Sequence, residues 1–352
     1  MKNVILNIVH SNVNGGLENV YLDYSEILHK NFEVVCVTSG RFVHLDKIRN
    51  LGIKTEILNI KGHYDVFSFV KLCFLIRKYS PKLVIAHNGR SFSIINLYSF
   101  FIKKRKFKTV AISHGGNPKR LIGFDYIITV AKHIERKIKE KYKYLSQDKI
   151  FTIHNGIKIH NYRKPVNRQK GHLTFGTLSR LSPEKNIITA LKAFKNFQAE
   201  IKGAKLLVAG SGKELENLMG FVKKHNLQDN VSFMGHIDNL ESFFNQIDVL
   251  LHPATKEPFG LVVLEAFNYY TPVIGANSGG LKEIIQHGYN GYLYDDSMSS
   301  KLLYDAMLDY YRGMDNEDEM VNNAYKTLEE KFSIGVTRDK LILFVRRAIS
   351  NI

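Results

Sequence analysis

The sequence predicts an α/β protein made of two doubly wound, parallel-sheet domains. Three observations carry that prediction. The chain has 352 residues, 44% of them hydrophobic, too many for one ordinary core and enough for two. Short apolar runs alternate with longer amphipathic ones, the rhythm of strand and crossover helix. That rhythm stops in a polar, basic stretch and then starts again.

In the first half, residues 4–9, 34–38, 83–86, 109–113 and 126–130 read as buried strands. Residues 17–29, 66–79 and 131–142 read as helices between them. The interruption is residues 158–172, which contain Pro165 and Gly171 and have no apolar period. Beyond it, residues 172–177, 205–209, 231–234, 249–252, 273–276 and 291–294 read as strands, and 187–197, 214–225, 240–246 and 261–268 as helices. Two such series imply two sheets with helices on both faces. Residues 334–352 are helical in pattern. The expected units are 1–160, 161–335 and a final helix, 336–352.

Charge is uneven. The net charge is +17, and residues 1–170 hold 31 of the 50 Lys and Arg but 11 of the 33 Asp and Glu. The first half is a cationic body and the second is near neutral, so they face different partners. Nucleic acid, anionic lipid and an anionic acceptor all fit the first half on composition. No apolar run approaches the ~20 residues that span a bilayer. The apolar part of the N-terminus is too short for a secretory signal and reads as a first strand. The two thiols, Cys36 and Cys73, have no metal-ligand spacing and suit a reducing compartment, so the cytoplasm is expected.

Four strand–helix joins carry candidate chemistry. Gly15 and Gly16 follow the first strand and open a helix, where free N–H groups favour an anion. A tight turn uses the same glycines. Arg180 and Lys185 follow the first strand of the second half, before a helix entered at Asn186; two cations there can neutralise a diphosphate. Glu257-Pro258-Phe259-Gly260-Leu261 opens a further helix whose first amides lack intrahelical partners, with Glu265 inside it among apolar neighbours. Residues 276–283 form a glycine loop of the same kind. His87 and His114 each follow a first-half strand, and His114 sits beside Gly115, Gly116, Lys119 and Arg120. No zinc constellation is present in the sequence, and Asp295-Asp296 reads as a solvated turn because neighbours on an extended segment point apart.

These residues together resemble retaining glycosyltransferase family 4. The pair Glu257 and Glu265 within Glu-Pro-Phe-Gly-Leu-Val-Val-Leu-Glu-Ala resembles its signature, and Gly176 to Asn186 its diphosphate loop. Leu207 to Gly212, Val231 to His236, Asn155-Gly156-Ile157 and Gly15-Gly16 match further elements. The similarity is strong over 150–295 and weaker over 1–150. The resemblance implies a GT-B fold, two Rossmann-like domains facing a cleft with the C-terminal helix crossing back to the first. It implies that Arg180 and Lys185 bind the donor diphosphate, Glu265 the ribose and Glu257 the transferred sugar. Phe259, Gly260 and Leu261 would give backbone contacts, Gly16 would approach the diphosphate, and Gly235, His236 and Ile237 would flank the base. His114 falls where the family often has a histidine near the reacting sugar. The expected catalytic set is therefore Glu257, His114, Arg180 and Lys185.

The implied activity moves a hexose or N-acetylhexosamine from a nucleotide-diphosphate sugar to a bacterial glycan: lipopolysaccharide, O-antigen, capsule or a lipid-linked saccharide. No cofactor or metal is expected, because two cations and helix-start amides can hold the leaving group. Two basic segments, 100–108 and 132–143, put cations beside apolar residues (Phe100, Phe101; Ile134, Ile138, Tyr142, Tyr144), which suits the anionic cytoplasmic face of the inner membrane. No nucleic-acid motif is present, so a basic nucleic-acid-binding protein is the remote alternative, beside a non-catalytic scaffold of the same fold. A GT-B epimerase or phosphorylase is disfavoured by the signature spacing.

Overall fold

The structure, a computed structural model, describes residues 3–62, 65–116, 118–160, 172–314 and 317–352. The chain divides into two units, Met1–Asn155 with Gly335–Ile352, and Gly156–Ile334. The division falls at Asn155, ahead of the expected boundary, and residues 161–171 of the expected joint lie outside the described residues.

The first unit runs β1 (Val4–Ile8), α1 (Gly16–His29), β2 (Glu33–Thr38), α2 (Leu45–Asn50), β3 (Lys54–Ile57), α3 (Val66–Tyr79), β4 (Leu83–Ala86), α4 (Gly89–Phe101), β5 (Lys108–Ser113), β6 (Tyr126–Thr129), α5 (Lys132–Lys141) and β7 (Ile150–Thr152). Its strands are all parallel, in the order β3-β2-β1-β4-β5-β6-β7. The order reverses between β1 and β4, so a crevice opens outside the carboxyl ends there. β1, β2, β4 and β5 are buried along nearly their whole length, which is why they read as continuous apolar runs.

The second unit runs β8 (Thr174–Leu178), α6 (Ile187–Glu200), β9 (Lys205–Ala209), α7 (Leu215–Lys224), β10 (Val231–Gly235), α8 (Leu240–Phe244), β11 (Val249–His252), α9 (Leu261–Asn268), β12 (Val273–Ala276), α10 (Leu281–Ile284), β13 (Tyr292–Tyr294), α11 (Ser300–Arg312) and α12 (Glu317–Phe332). Its sheet is parallel too, in the order β10-β9-β8-β11-β12-β13. Phe175, Phe194 and Phe197 pack a core in which all three rings are fully buried.

The last helix, α13 (Ile334–Ser350), belongs from Gly335 onward to the first unit. Phe344 lies edge-on to Phe151 at 5.2 Å and to Tyr126 at 5.7 Å. The Thr337 hydroxyl donates to the His154 carbonyl at 3.0 Å. No helix among the described residues is long and apolar enough to cross a membrane.

The two basic segments behave differently. Phe100 and Phe101, at the end of α4, are 73% and 65% exposed, and Lys103, Lys104 and Lys106 beside them are exposed as well. In and just after α5 the expected apolar anchors are not available. Ile134, Ile138 and Tyr142 are buried, because the helix turns its apolar stripe inward, toward β6 and β7. Of that set Tyr144 alone is exposed.

Candidate functional site

The carboxyl edge of the second sheet is built by glycines that let loops lie against one another. Gly210 and Gly212 take φ of +126° and +157°, and a Cβ on them would fall 1.8 Å from the Ser179 carbonyl oxygen and 2.2 Å from that of Leu181. Only glycine fits such a conformation and approach. The loop carrying Arg180 is thereby zipped to the loop after β9. The Ser179 N–H donates to the Ala209 oxygen at 3.1 Å and the Leu181 N–H to the Ser211 oxygen at 2.8 Å. The Gly210 N–H extends the zipper to Gly235 at 2.7 Å.

Lys185 is placed by the residue after it. Asn186 adopts left-handed backbone (φ 52°), which the short polar side chain tolerates, and turns the chain into α6. Its side-chain amide donates to the carbonyls of Ser297 at 2.7 Å and Pro253 at 3.3 Å. The Thr255 N–H donates to the Glu184 oxygen at 2.9 Å. These bonds fasten the turn carrying Lys185 to the loop after β11.

The result is a buried charge cluster. The Lys185 Nζ lies 2.6 Å from Glu257 Oε2, and the His252 Nε2 lies 2.8 Å from the same oxygen. Glu257 is 8% exposed and His252 3%. Burial alone would push the Glu257 carboxyl up. The His252 hydrogen bond and charge, with Lys185, more than reverse this and hold it at about 2. Glu257 is therefore a carboxylate at neutral pH, an acceptor and not an acid.

Gly260 joins this cluster to α9. Its φ of +114° is left-handed territory, and a Cβ would meet Leu281 Cδ2 at 2.8 Å. The helix that follows presents its first amides, Leu261 and Val262, where intrahelical partners do not exist. The loop is held from behind by Gly279 and Gly280. A Cβ on Gly279 (φ +51°) would fall 2.1 Å from the Glu257 carbonyl oxygen, and the Gly280 N–H donates to that oxygen at 2.9 Å. The Phe259 side chain is buried edge-on to Phe332, so only its backbone is available. Glu265 is half-buried on α9, one turn inside from Leu261. His236 is exposed, with Nε2 3.3 Å from Asp238, and Ile237 is half-buried.

The remaining predicted residues belong to the first unit. Gly15 caps α1 with φ −176°, extended backbone that any residue adopts, and Gly16 is the first helical residue. His114 follows β5, and its Nε2 is sealed from solvent without a hydrogen-bond partner among the described residues. Burial lowers its pKa to about 4, so the ring is neutral at pH 7. The ring of His87 stacks on it at 5.8 Å. His87 itself is a core residue. It is 1% exposed, with Nε2 2.9 Å from Asn7 Oδ1 and the rings of Tyr21 and Tyr24 edge-on.

Of the predicted set, Lys185, Glu257 and Gly260 converge at one point, and Arg180 and Gly235 share the neighbouring loop zipper. His252 was not predicted. Its signal was available, since it ends β11 at the carboxyl edge five residues before Glu257. A histidine inside an apolar run looked like part of the strand.

Two Rossmann-like parallel sheets with this loop set define a GT-B fold. Residues 158–327 match the family described as glycosyl transferases group 1. An uncharacterized glycosyltransferase of Methanocaldococcus jannaschii is 31% identical over 229 residues, covering 59% of this chain and 56% of the relative, so the match spans little more than half of that protein. The O-antigen biosynthesis glycosyltransferase WclY of Escherichia coli is 29% identical over 295 residues, 78% of this chain and 75% of the relative. Among solved structures, Anabaena HepE in complex with UDP and glucose has a TM-score of 0.84 at 17% identity, covering 99% of this chain and 100% of that one, a likeness of fold.

Proposed function

We propose that this chain is a retaining glycosyltransferase that moves a hexose or N-acetylhexosamine from a nucleotide-diphosphate sugar to a bacterial glycan acceptor. The observation that carries the reading is the Lys185–Glu257–His252 cluster beside the start of α9. As the bond from the sugar C1 to the diphosphate breaks, negative charge grows on the leaving oxygen. Arg180, Lys185 and the amides of Leu261 and Val262 stabilise it. Glu257, ionised and already accepting two hydrogen bonds, is poorly suited to take a proton. Its role is to hold sugar hydroxyls and to fix Lys185. Glu265 holds the ribose, and Gly235 to Ile237 flank the base. HepE in complex with UDP and glucose, and the O-antigen role of WclY, support this substrate class.

The reading needs no metal; activity lost in EDTA and restored by Mg²⁺ would sink that part. The primary test is a thermal-shift screen against UDP, GDP, ADP and CMP sugars. A ligand of the folded state raises the melting temperature, and absence of any shift overturns the donor reading.

The acceptor side includes the cytoplasmic membrane surface. α3 turns Phe67 (90% exposed), Val70 and Phe74 to solvent beside Phe100 and Phe101, with Phe69 and Phe101 in ring contact at 5.7 Å. Exposed Lys71, Lys103, Lys104 and Lys106 flank these aromatics. Aromatics among cations suit peripheral binding to anionic lipid.

A further inference from the structure

The first unit contains a cavity of about 480 Å³ that no predicted donor residue lines. Its walls are His10, Asn12, Gly40, Arg41, Asn59, Ile60, Lys61 and Arg90. It lies beyond the carboxyl ends of β1, β2 and β3, with Arg90 contributed from α4 just after β4. This is the edge where the strand order reverses, the position at which open parallel sheets take ligands. The size suits a small ligand.

The floor is built and the rim is cationic. The Ser39 hydroxyl donates to the Ser11 carbonyl at 2.6 Å, and the Asn88 amide donates to the His10 carbonyl at 2.7 Å. The Gly40 N–H donates to Asn59 Oδ1 at 2.9 Å. These bonds tie the loops after β1, β2, β3 and β4 into one surface. His10 is 8% exposed, and its Nδ1 accepts the Ile60 N–H at 3.0 Å. The same Nδ1 lies 3.4 Å from the Leu58 carbonyl oxygen; accepting the closer Ile60 amide leaves the proton of the neutral ring on Nε2, which has no protein partner among the described residues. Arg41, Lys61 and Arg90 are exposed and lack a carboxylate partner among the described residues, and no acid lines the cavity. Asp65, the near neighbour in sequence, commits its oxygens to the Lys61 N–H and to Ser68. Three unpaired cations and a buried imidazole donor make a site for a compact, multiply charged oxyanion.

We propose that this cavity binds the phosphate or diphosphate group of the acceptor, an inference that rests on the glycosyltransferase reading. The acceptor is then a phosphorylated saccharide precursor, delivered from solution or from a lipid headgroup, and not a neutral sugar.

Inorganic pyrophosphate titrated into the full chain by calorimetry tests this. Arg180 and Lys185 are expected to bind the same probe, so the reference protein is Arg180→Ala/Lys185→Ala. Pyrophosphate should still bind it, and adding Arg41→Gln/Arg90→Gln should weaken binding by about tenfold or more, as expected for lost charge-assisted bonds. The charge-keeping Arg41→Lys/Arg90→Lys pair should retain most of it. An affinity within twofold of the reference in the Gln protein overturns the site. Glycerol phosphate in solution and phosphatidic acid in vesicles then present the same group from the two sources. The one whose binding the Gln pair abolishes names the source; survival of both in that protein also overturns the site. Failure of the donor reading is seen separately, as a wild-type chain whose melting temperature no nucleotide sugar shifts.

Discussion

The two sheets end differently. At the carboxyl edge of the second, loops are fastened to loops. Gly210, Gly212 and Gly279 lie so close to neighbouring backbone that an added Cβ would fall about 2 Å from a carbonyl oxygen, and Lys185 and His252 are both paired with Glu257. At the carboxyl edge of the first, the floor is fastened but the polar groups facing outward are not paired. Arg41 and Arg90 at the rim have no carboxylate partner among the described residues. A paired, glycine-locked edge suits one constant ligand, since its geometry is set before binding. An edge whose specificity sits on exposed side chains can change ligand without disturbing its sheet. Under the proposed function, that difference assigns the constant nucleotide-bearing donor to the second unit and the variable acceptor to the first.

The largest effect, on stability and binding together, should come from breaking the lock. Gly210→Ala puts a Cβ 1.8 Å from a backbone oxygen and imposes a left-handed φ, so the two loops must part. Denaturant unfolding should show a loss of about 2–3 kcal/mol, with nucleotide-sugar binding lost too. Gly116→Ala in the first unit meets nothing within 4 Å, so only the strain of its φ of +93° remains and about 1 kcal/mol is expected. Equal losses in the two proteins would end the contrast.

Next is Lys185→Ala. It removes one preorganised cation from the growing leaving-group charge, and kcat/KM should fall about 100-fold. Full transfer by this protein would remove Lys185 from the mechanism.

Glu257 gives a pH signature. Its carboxyl is held at about 2 in the folded chain, against 4.5 when free. Its contribution to stability is therefore fully present above pH 4.5 and lost as the pH falls toward 2. The shift corresponds to about 3 kcal/mol. Wild type and Glu257→Gln compared by denaturant unfolding should differ most above pH 4.5, and the gap should narrow steadily below it. A gap independent of pH would mean that the charge is not what holds the cluster.

How much of this was legible beforehand follows the same physics. Fully buried strands such as β4 and β11 announce themselves as apolar runs. β3, Lys-Thr-Glu-Ile at the edge of its sheet, has no such run and was missed. α4 was missed because its polar residues (Arg90, Ser91, Ser93, Asn96, Ser99) are spread round the helix and leave no apolar stripe. Lys185, Glu257 and Gly260 were legible because they stand in loops, where a charge or a glycine has no packing duty to hide behind. His252 hid inside a strand. The cavity residues were invisible, since Asn12, Arg41, Lys61 and Arg90 come from four separate segments that only the sheet order brings together.

The smallest expected effect lies within the first unit, between its two basic segments. The apolar stripe of α5 is buried, so its exposed Arg136 and Lys137 have no anchor beside them. The α3–α4 face offers Phe67 and Phe74 with cations alongside. Sedimentation with anionic vesicles separates the two. Phe67→Ser/Phe74→Ser should lower partitioning by about tenfold or more, because each exposed ring gains apolar burial in the interface. Arg136→Gln/Lys137→Gln should lower it by less than about threefold. Were α5 seated on the surface, two cations at about 1 kcal/mol each would cost roughly 30-fold. A drop of that size in the α5 protein would move the docking face from α3–α4 to α5, and with it the side of the first unit from which a lipid-borne acceptor must arrive.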